Sequence, residues 1–450
     1  MRQVIGAACI LASLACTSGR APVTVVPEVA TPDAGAADAG DAARSDPGDA
    51  GASALADGGG RCSGLDTSGV EVVNHSDGRD PCAGILPPAP QGPRTFQDRA
   101  HLAGDVCGIA VGSGDGHVVW TVNYNGPYIL NRLLDADANL LPWSLTSQNV
   151  GDRYIPQPHG FLDFANLDHG GELKAVIAIT DTRGEGANQN VYNAIEFPTL
   201  AYSRNGGLAV AGGIDSTPIV TYPVPRRLWV FNEDASTRFG PTRLAGDSAI
   251  VAVGIDASGA TLVLNHDESG KLAGEWFDRD GTALTGAFQT AICTPQPEGW
   301  SQQFDLAPLV GSGLALRRTR ADFRTFPSPW HSEWIAIFPS GAPTIAPVPA
   351  WLAARPDTSL VALPLRHAYA FTAQGGASRT CSPSVEFVAA DGSSCGVQEY
   401  PLDDAGTCGV SELRIGVDGT VLEPLPESME QSLGGSDRTC TLRFWPGALR

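Results

Sequence analysis

The chain is poor in lysine: its 29 basic residues include only Lys174 and Lys271, against 49 acidic residues and a net charge of −20. So acidic a chain, without a basic stripe, is repelled by phosphate backbones, which excludes nucleic acid as a partner class. Long hydrophobic runs are missing as well. The apolar stretch Val4–Ala15 is 12 residues, short of the about 20 that a helix needs to cross hydrocarbon. No later stretch approaches that length, which leaves no membrane-spanning helix. Signature spacings are also absent. There is no Cys-x-x-Cys pair, no H-E-x-x-H, and Gly112-x-Gly114 is followed by His117 where a third glycine would stand. A structural zinc site, a zincin-type protease and a dinucleotide-binding turn all lose their usual carriers. We expect no cofactor.

What the chain does hold is 53 glycines and 34 prolines, a balance that favours many short strands joined by tight turns and hence an all-β class. The first 60 residues stand apart. Residues 17–60 contain seven acidic residues, two arginines, the units Asp33–Gly35, Asp38–Gly40 and Asp49–Gly51, and no aromatic. Such a segment buries too little apolar surface to offset its ordering entropy, and like charges extend it, so it reads as a disordered tether.

Ahead of the tether, Met1–Arg2–Gln3, the apolar stretch and Ser13–Leu14–Ala15–Cys16 form a secretory layout that ends on a cysteine preceded by a small residue. This resembles the N-terminus of bacterial lipoproteins. The resemblance implies cleavage after Ala15 and lipid on Cys16, with the membrane as partner through that lipid. Thr17 is not the aspartate associated with inner-membrane retention, so the expected location is the outer membrane or cell surface. An ordinary secretory leader, which would remove Cys16, is the alternative.

Export agrees with the cysteines. Setting aside Cys9 and Cys16, eight of the ten remain: Cys62, Cys82, Cys107, Cys293, Cys381, Cys395, Cys408 and Cys440. An even set suits disulfides in an oxidising compartment, although eight cysteines allow about 105 connectivities. Cys62–Cys82 and Cys395–Cys408 are expected as local loops, leaving the other four for longer ties.

Beyond residue 60 the sequence repeats a phrase: an apolar strand, a short acidic or small turn, then another apolar strand. Residues 249–288 read as a four-stranded antiparallel meander. Aligning the turns on Ala138, Gly184, Ala235, Gly281, Gly341, Gly392 and Gly419 gives intervals of 46, 51, 46, 60, 51 and 27 residues. A second series, at 114–116, 169–171, 214–216, 256–259 and 311–313, is interleaved with it. Two hairpins per about 50 residues suit a four-stranded blade, so the expected fold is a β-propeller of six or seven blades, with disulfide-tied β-sandwiches as the alternative. The short final interval suggests that a strand from the N-terminal side completes the last blade. The phrase Trp276–Gly286 resembles those of uncharacterised secreted bacterial repeat proteins. The expected organisation is thus a signal peptide at 1–15, a tether at 16–60, an N-terminal disulfide-containing segment at 61–105 and a propeller-like domain at 106–450.

Chemical motifs are sparse. Gly392–Ser393–Ser394–Cys395–Gly396 fits G-x-S-x-G but lacks a following helix, so it reads as a turn beside a disulfide. Ser113–Trp120 resembles the Asp-box turn of sialidase-like propellers, with His117 where that motif has glycine. Asp135–Asn139 begins like a calcium loop but lacks the later glycine and glutamate, so calcium there would be incidental and structural. The densest polar cluster is His159, Asp163, Asp168 and His169, which could supply an acid, a base or metal ligands if they faced one channel; Phe161–Phe164 within it reads as an inner strand. The aromatic segment around Trp330 and Trp334 reads as blade core or as a stacking surface for sugars or a partner's side chains.

With an anchor, a spacer and a repeat platform visible and no catalytic set, the chain reads as a membrane-anchored envelope lipoprotein whose propeller acts as a non-catalytic binding or scaffolding module for a protein or glycan. The alternative is a carbohydrate-active hydrolase using carboxylates in the propeller channel. A structural role in envelope assembly is a third reading.

Overall fold

Among the described residues, alternation of apolar and polar residues between turn-forming clusters gives 29 strands and almost no helix. The structure is a computed structural model and describes residues 70–71, 80–100, 106–123, 129–147, 153–169, 172–180, 186–193, 195–214, 226–245, 249–267, 269–293, 300–324, 330–373, 384–400, 413–428 and 438–449. The strands form seven antiparallel sheets that follow one another along the chain, here sheets I to VII, spanning residues 106–147, 153–193, 195–243, 250–293, 300–338, 358–399 and 414–445. Five of these are four-stranded meanders of consecutive strands; sheet V has three strands, extended by an isolated bridge between Ile337 and Ala346. Sheet VII takes its fourth strand from the other end of the chain: Arg94–Ala100 pairs antiparallel with Arg438–Trp445, from Arg94 opposite Phe444 to Ala100 opposite Arg438. The expectation drawn from the 27-residue final interval is therefore met, and residues 94–100 belong to the last sheet although they lie in the N-terminal segment. An additional parallel pair joins Val70–Glu71 to Val348–Pro349, next to the one-turn helix Ala350–Ala353.

Core packing gives the order of the sheets in space. Tyr154 and Phe161 of sheet II meet Val119 and Leu133 of sheet I. Ile155 and Leu162 of sheet II meet Trp229 and Phe231 of sheet III. Sheet III then buries Leu228 and Val230 against Val263 and Phe277 of sheet IV, and Trp276 of sheet IV packs with Phe304 and Phe338 of sheet V. Sheets V and VI share Trp334, Tyr369 and Phe371; sheets VI and VII share Phe387, Tyr400 and Trp445. The seventh cluster returns to the start, joining Leu442 and Phe444 of sheet VII to Trp120 of sheet I, with Phe96 of the N-terminal strand edge-on to Trp120 at 6.0 Å. Face-to-face burial of both sides of each sheet offsets the exposure that a lone four-stranded meander would suffer. The arrangement is propeller-like, with the innermost strand of each sheet at the centre.

Four of the described hairpin turns, those beginning at Asp135, Asp256, Asp267 and Asp278, share one chemistry. In the hairpin at 256–260 the Asp256 carboxylate accepts from Ser258 N at 2.9 Å, Ala260 N at 3.1 Å and the Ser258 hydroxyl at 2.6 Å. Gly259 takes the left-handed conformation, φ 89°, that closes the loop. Asp135, Asp267 and Asp278 hold their hairpins in the same way, whereas Asp418 is third in the turn 416–420 and accepts from Thr420 N and its hydroxyl. Of the positions on which the repeat was aligned, Ala138, Ala235, Gly281, Gly341, Gly392 and Gly419 all have positive φ, while Gly184 lies outside the described residues.

Several expectations need correction. Cys82 is bonded to Cys395, 313 residues away, so neither the Cys62–Cys82 nor the Cys395–Cys408 loop forms. The reason is that residues 80–92 run back over sheets VI and VII: Ile85 is buried in their shared cluster, Arg366 donates to the carbonyls of Gly84 and Ile85, and Gln398 donates to that of Pro88. Cys293 is also disulfide-bonded. Cys107 and Cys440 lie in strands, and Cys62, Cys381 and Cys408 lie outside the described residues. The fourth strand of sheet IV is Phe288–Cys293, beyond the turn-rich stretch that ends the 249–288 phrase. In sheet III the hairpin equivalent to 256–260 is Ser203–Gly207, not 214–216, since Ile214 still belongs to the strand Leu208–Ile214.

Candidate functional site

The first strand of each sheet is hydrogen-bonded on one side only, which turns its second row of backbone N–H and C=O groups toward the centre. Ile195–Tyr202 of sheet III, Ile250–Ile255 of sheet IV, Trp300–Pro308 of sheet V, Thr358–Leu363 of sheet VI and Arg414–Ile415 of sheet VII together wall a cavity of about 520 Å³. A smaller space of about 160 Å³ borders it, lined by Ala110 of sheet I, Pro156 of sheet II, Ser359 and Ile415; Tyr202, Val361 and Ile415 line both. Inner-strand residues of all seven sheets thus face one central channel.

Its walls are mainly aliphatic and main-chain; Arg204 and Asp305 line the larger space and Arg414 the smaller one. Asp305 is the one carboxylate among the described lining residues. It stands opposite Arg317 on the neighbouring strand, which donates to it at 3.3 Å while also donating to the Thr358 carbonyl at 2.9 Å, and Gln303 donates to its other oxygen at 3.1 Å. The second charged group, Arg204, sits in the hairpin 203–207 and reaches from sheet III across to sheet VII. There its Nη2 donates to the carbonyls of Ile415, at 2.9 Å, and Gly416, at 2.7 Å. Burial pulls the Arg204 guanidinium below its ordinary value, opposed by the charges of Tyr202 and Asp418. The mouth at which these hairpins gather is barred by that side chain and tied from sheet to sheet: Gly114 N donates to the Gln157 carbonyl, Gly207 N to Gln157 Oε1, Asn205 to the Ala257 carbonyl, Gly313 N to Asp256 and Val417 N to the Gly112 carbonyl.

The residues singled out from the sequence do not gather here. His159 lies in the turn 157–160, its side chain 82% exposed, and its N–H and Nδ1 meet Glu233 of sheet III at 2.6 and 2.9 Å. Asp163, Asp168 and His169 lie on Phe161–His169, the second and not the innermost strand of sheet II. A rise of about 3.3 Å per residue puts the Asp163 and Asp168 backbones roughly 17 Å apart along the strand. His169 ends the strand far from His159. Extended backbone has spread what looked like a cluster; the side chains of Asp163, Asp168 and His169 lie outside the described residues.

Trp334 is 7% exposed, donates its indole N–H to the Arg355 carbonyl at 2.9 Å and carries Arg317 over its ring at 5.7 Å. It is core, and the stacking surface expected there loses its second ring; the side chain of Trp330 lies outside the described residues. Ser393 and Ser394 continue from a turn into the strand Ser394–Glu399, so G-x-S-x-G has no helix behind it. In the Asp-box-like turn, Ser113 and His117 both hydrogen-bond to Asp115, the imidazole at 3.0 Å. Burial raises the Asp115 pKa, but the bonds from His117 and Ser113 outweigh it and hold the carboxyl below its ordinary value. Serine and histidine share the carboxylate, and the Ser113 hydroxyl and N–H also donate to the His117 carbonyl at 3.2 and 2.8 Å, which closes the turn as a clamp. Both oxygens of Asp135 are engaged within their hairpin, by Asp137 N, Asn139 N and Asn139 Nδ2. Among the described residues no group of three or more His, Cys, Asp or Glu could hold a metal ion, and no helix is long and apolar enough to cross a membrane.

No family model matches the chain, and no curated protein matches it. Solved structures similar to it include a polysaccharide lyase, Uly1, at TM-score 0.41 and 11% identity over 76% of this chain and 90% of that one. Prolyl oligopeptidase B from Galerina marginata matches at TM-score 0.38 and 8% identity, over 75% of this chain and 49% of that one. A structure from a study of two prolyl endopeptidases matches at TM-score 0.39 and 11% identity, over 82% and 48%. The chain therefore spans about half the length of the prolyl peptidases it matches. Likeness at this level lends the chain no activity.

Proposed function

We propose that the chain is an envelope lipoprotein, anchored through lipid on Cys16 and lifted from the membrane by residues 17–60, whose folded part is a closed seven-bladed β-propeller acting as a non-catalytic binding module. Closure is supported by the seven shared clusters and by the N-terminal strand in sheet VII. The observation that carries the functional reading is the channel. Its single described carboxylate, Asp305, is already held by Arg317 and Gln303, whereas glycoside hydrolysis uses two carboxyl groups about 5–10 Å apart. What remains is a cavity with convergent polar groups, the usual form of a ligand site.

The anchor is tested by expressing the full chain and Cys16→Ser in a Gram-negative host and separating membranes from soluble protein. The native chain is expected in the membrane fraction and the variant in the soluble one. Equal pelleting of both would overturn the anchor.

A further inference from the structure

We propose that the Cys82–Cys395 bond fastens the ring against tension on the N-terminal tether, so that a pull on the anchor enters sheet VI at Cys395 and bypasses the ring-closing strand Arg94–Ala100. The source of the tension rests on the anchored reading above; the path it takes rests on the folded part alone.

The order of elements along the chain carries the argument. Residues 17–60 precede Cys82, and Cys82 precedes the strand Arg94–Ala100. That strand is the outer member of sheet VII and pairs there with Arg438–Trp445 alone. Pulled from its leading end, an edge strand peels, its pairs giving way one after another from Arg94 opposite Phe444 onward. Its loss would take Phe96 from Trp120 and open the cluster that joins sheets VII and I. Between Cys82 and Arg94 the described holds are the buried Ile85, the bonds from Arg366 to the Gly84 and Ile85 carbonyls at 3.1 and 3.2 Å, and that from Gln398 to the Pro88 carbonyl at 2.9 Å. Hydrogen bonds of this kind exchange with water at small net cost. The disulfide is covalent and keeps the two Cα atoms 5.2 Å apart. While it is intact, Cys82 is not drawn away from Cys395, and residues 83–100 feel no extension. Cys395 lies inside the strand Ser394–Glu399, continuous with the chain on both sides and paired with Ser384–Ala389, so it presents no free end to peel. The 313-residue loop that the bond closes contains the ring-closing strand and sheets I to V. Most of the channel wall therefore stays assembled while the tether is pulled.

The test stretches the full chain, without lipid, between handles at its two ends in optical tweezers. The oxidised chain is expected to stop short of its full extended length by at least roughly 1,000 Å, the reach of the 313-residue loop at about 3.3–3.6 Å per residue. Dithiothreitol is expected to restore the full length: this dithiol attacks the bond through a mixed disulfide, leaves as its own cyclic disulfide and releases Cys82 and Cys395 as thiols. A chain with serine in place of Cys62, Cys107, Cys293, Cys381, Cys408 and Cys440 is expected to keep a shortfall of that size, since Cys82–Cys395 alone accounts for it. Full extension of the oxidised chain overturns the proposal, as does loss of the shortfall in the serine variant or its persistence in dithiothreitol. Membrane pelleting of Cys16→Ser would instead overturn the source of the tension and leave its path through Cys395 standing.

Discussion

Replacing both Cys82 and Cys395 by serine is expected to destabilise the protein strongly, and the reason lies in the unfolded chain. The bond closes a 313-residue loop, for which chain-entropy arithmetic gives about 6 kcal/mol at 25 °C; measured losses of native disulfides run at about 2–5 kcal/mol. Little is lost on the native side, because Ile85 stays buried in the cluster of sheets VI and VII and Arg366 still holds the Gly84 and Ile85 carbonyls. The double variant avoids a stray thiol and leaves Cys293 bonded. Urea unfolding followed by tryptophan fluorescence measures the effect, with a drop of about 2–5 kcal/mol expected. A change below about 0.5 kcal/mol, the size of an ordinary surface substitution, would refute the view that this clasp constrains the chain.

Other expectations follow from local chemistry. Gly281→Ala forces alanine to φ 87° and sets its methyl 2.6 Å from Phe239 Cγ, so a loss of about 1–3 kcal/mol is expected by urea unfolding, and an unchanged midpoint would contradict the turn geometry. Trp334→Ala empties the interface of sheets V and VI and is expected to cost about 3–5 kcal/mol of stability; a fully stable variant would restore Trp334 as a surface group. Two hydrogen bonds from Arg355 hold the Glu386 carboxyl below its ordinary value of 4.5. That stability is present above pH 4.5 and lost as the pH falls toward the depressed folded value. Glu386→Gln is therefore expected to flatten the acid limb of a stability–pH profile, and an unaltered limb would count against the pairing.

The turns were legible in the sequence because they depend on local chemistry. An aspartate that caps backbone N–H groups, followed three residues later by a glycine with positive φ, marks a hairpin wherever it occurs, as at Asp256–Gly259 and Asp278–Gly281. Ser203–Gly207 escaped notice since a serine stands where the aspartate usually does. Long-range matters were hidden. Spacing along the chain cannot show that Cys82 meets Cys395, because residues 80–92 must first fold back over the last two sheets. Nor does an aromatic-rich stretch show that Trp334 faces inward. The polar residues at 159–169 are dense along the sequence, yet an extended strand separates successive backbones by about 3.3 Å per residue. The channel carries no motif at all, since its walls are strand edges and its charged lining, Arg204, Asp305 and Arg414, comes from three separate sheets.

Hydrogen exchange of the strand Arg94–Ala100 tests the central claim most directly. If this segment closes the ring as the outer strand of sheet VII, its hydrogen-bonded amides exchange as slowly as those of Arg438–Trp445, to which it pairs. Exchange of 94–100 at the rate of an unstructured chain, beside a protected 438–445, would contradict the closed propeller.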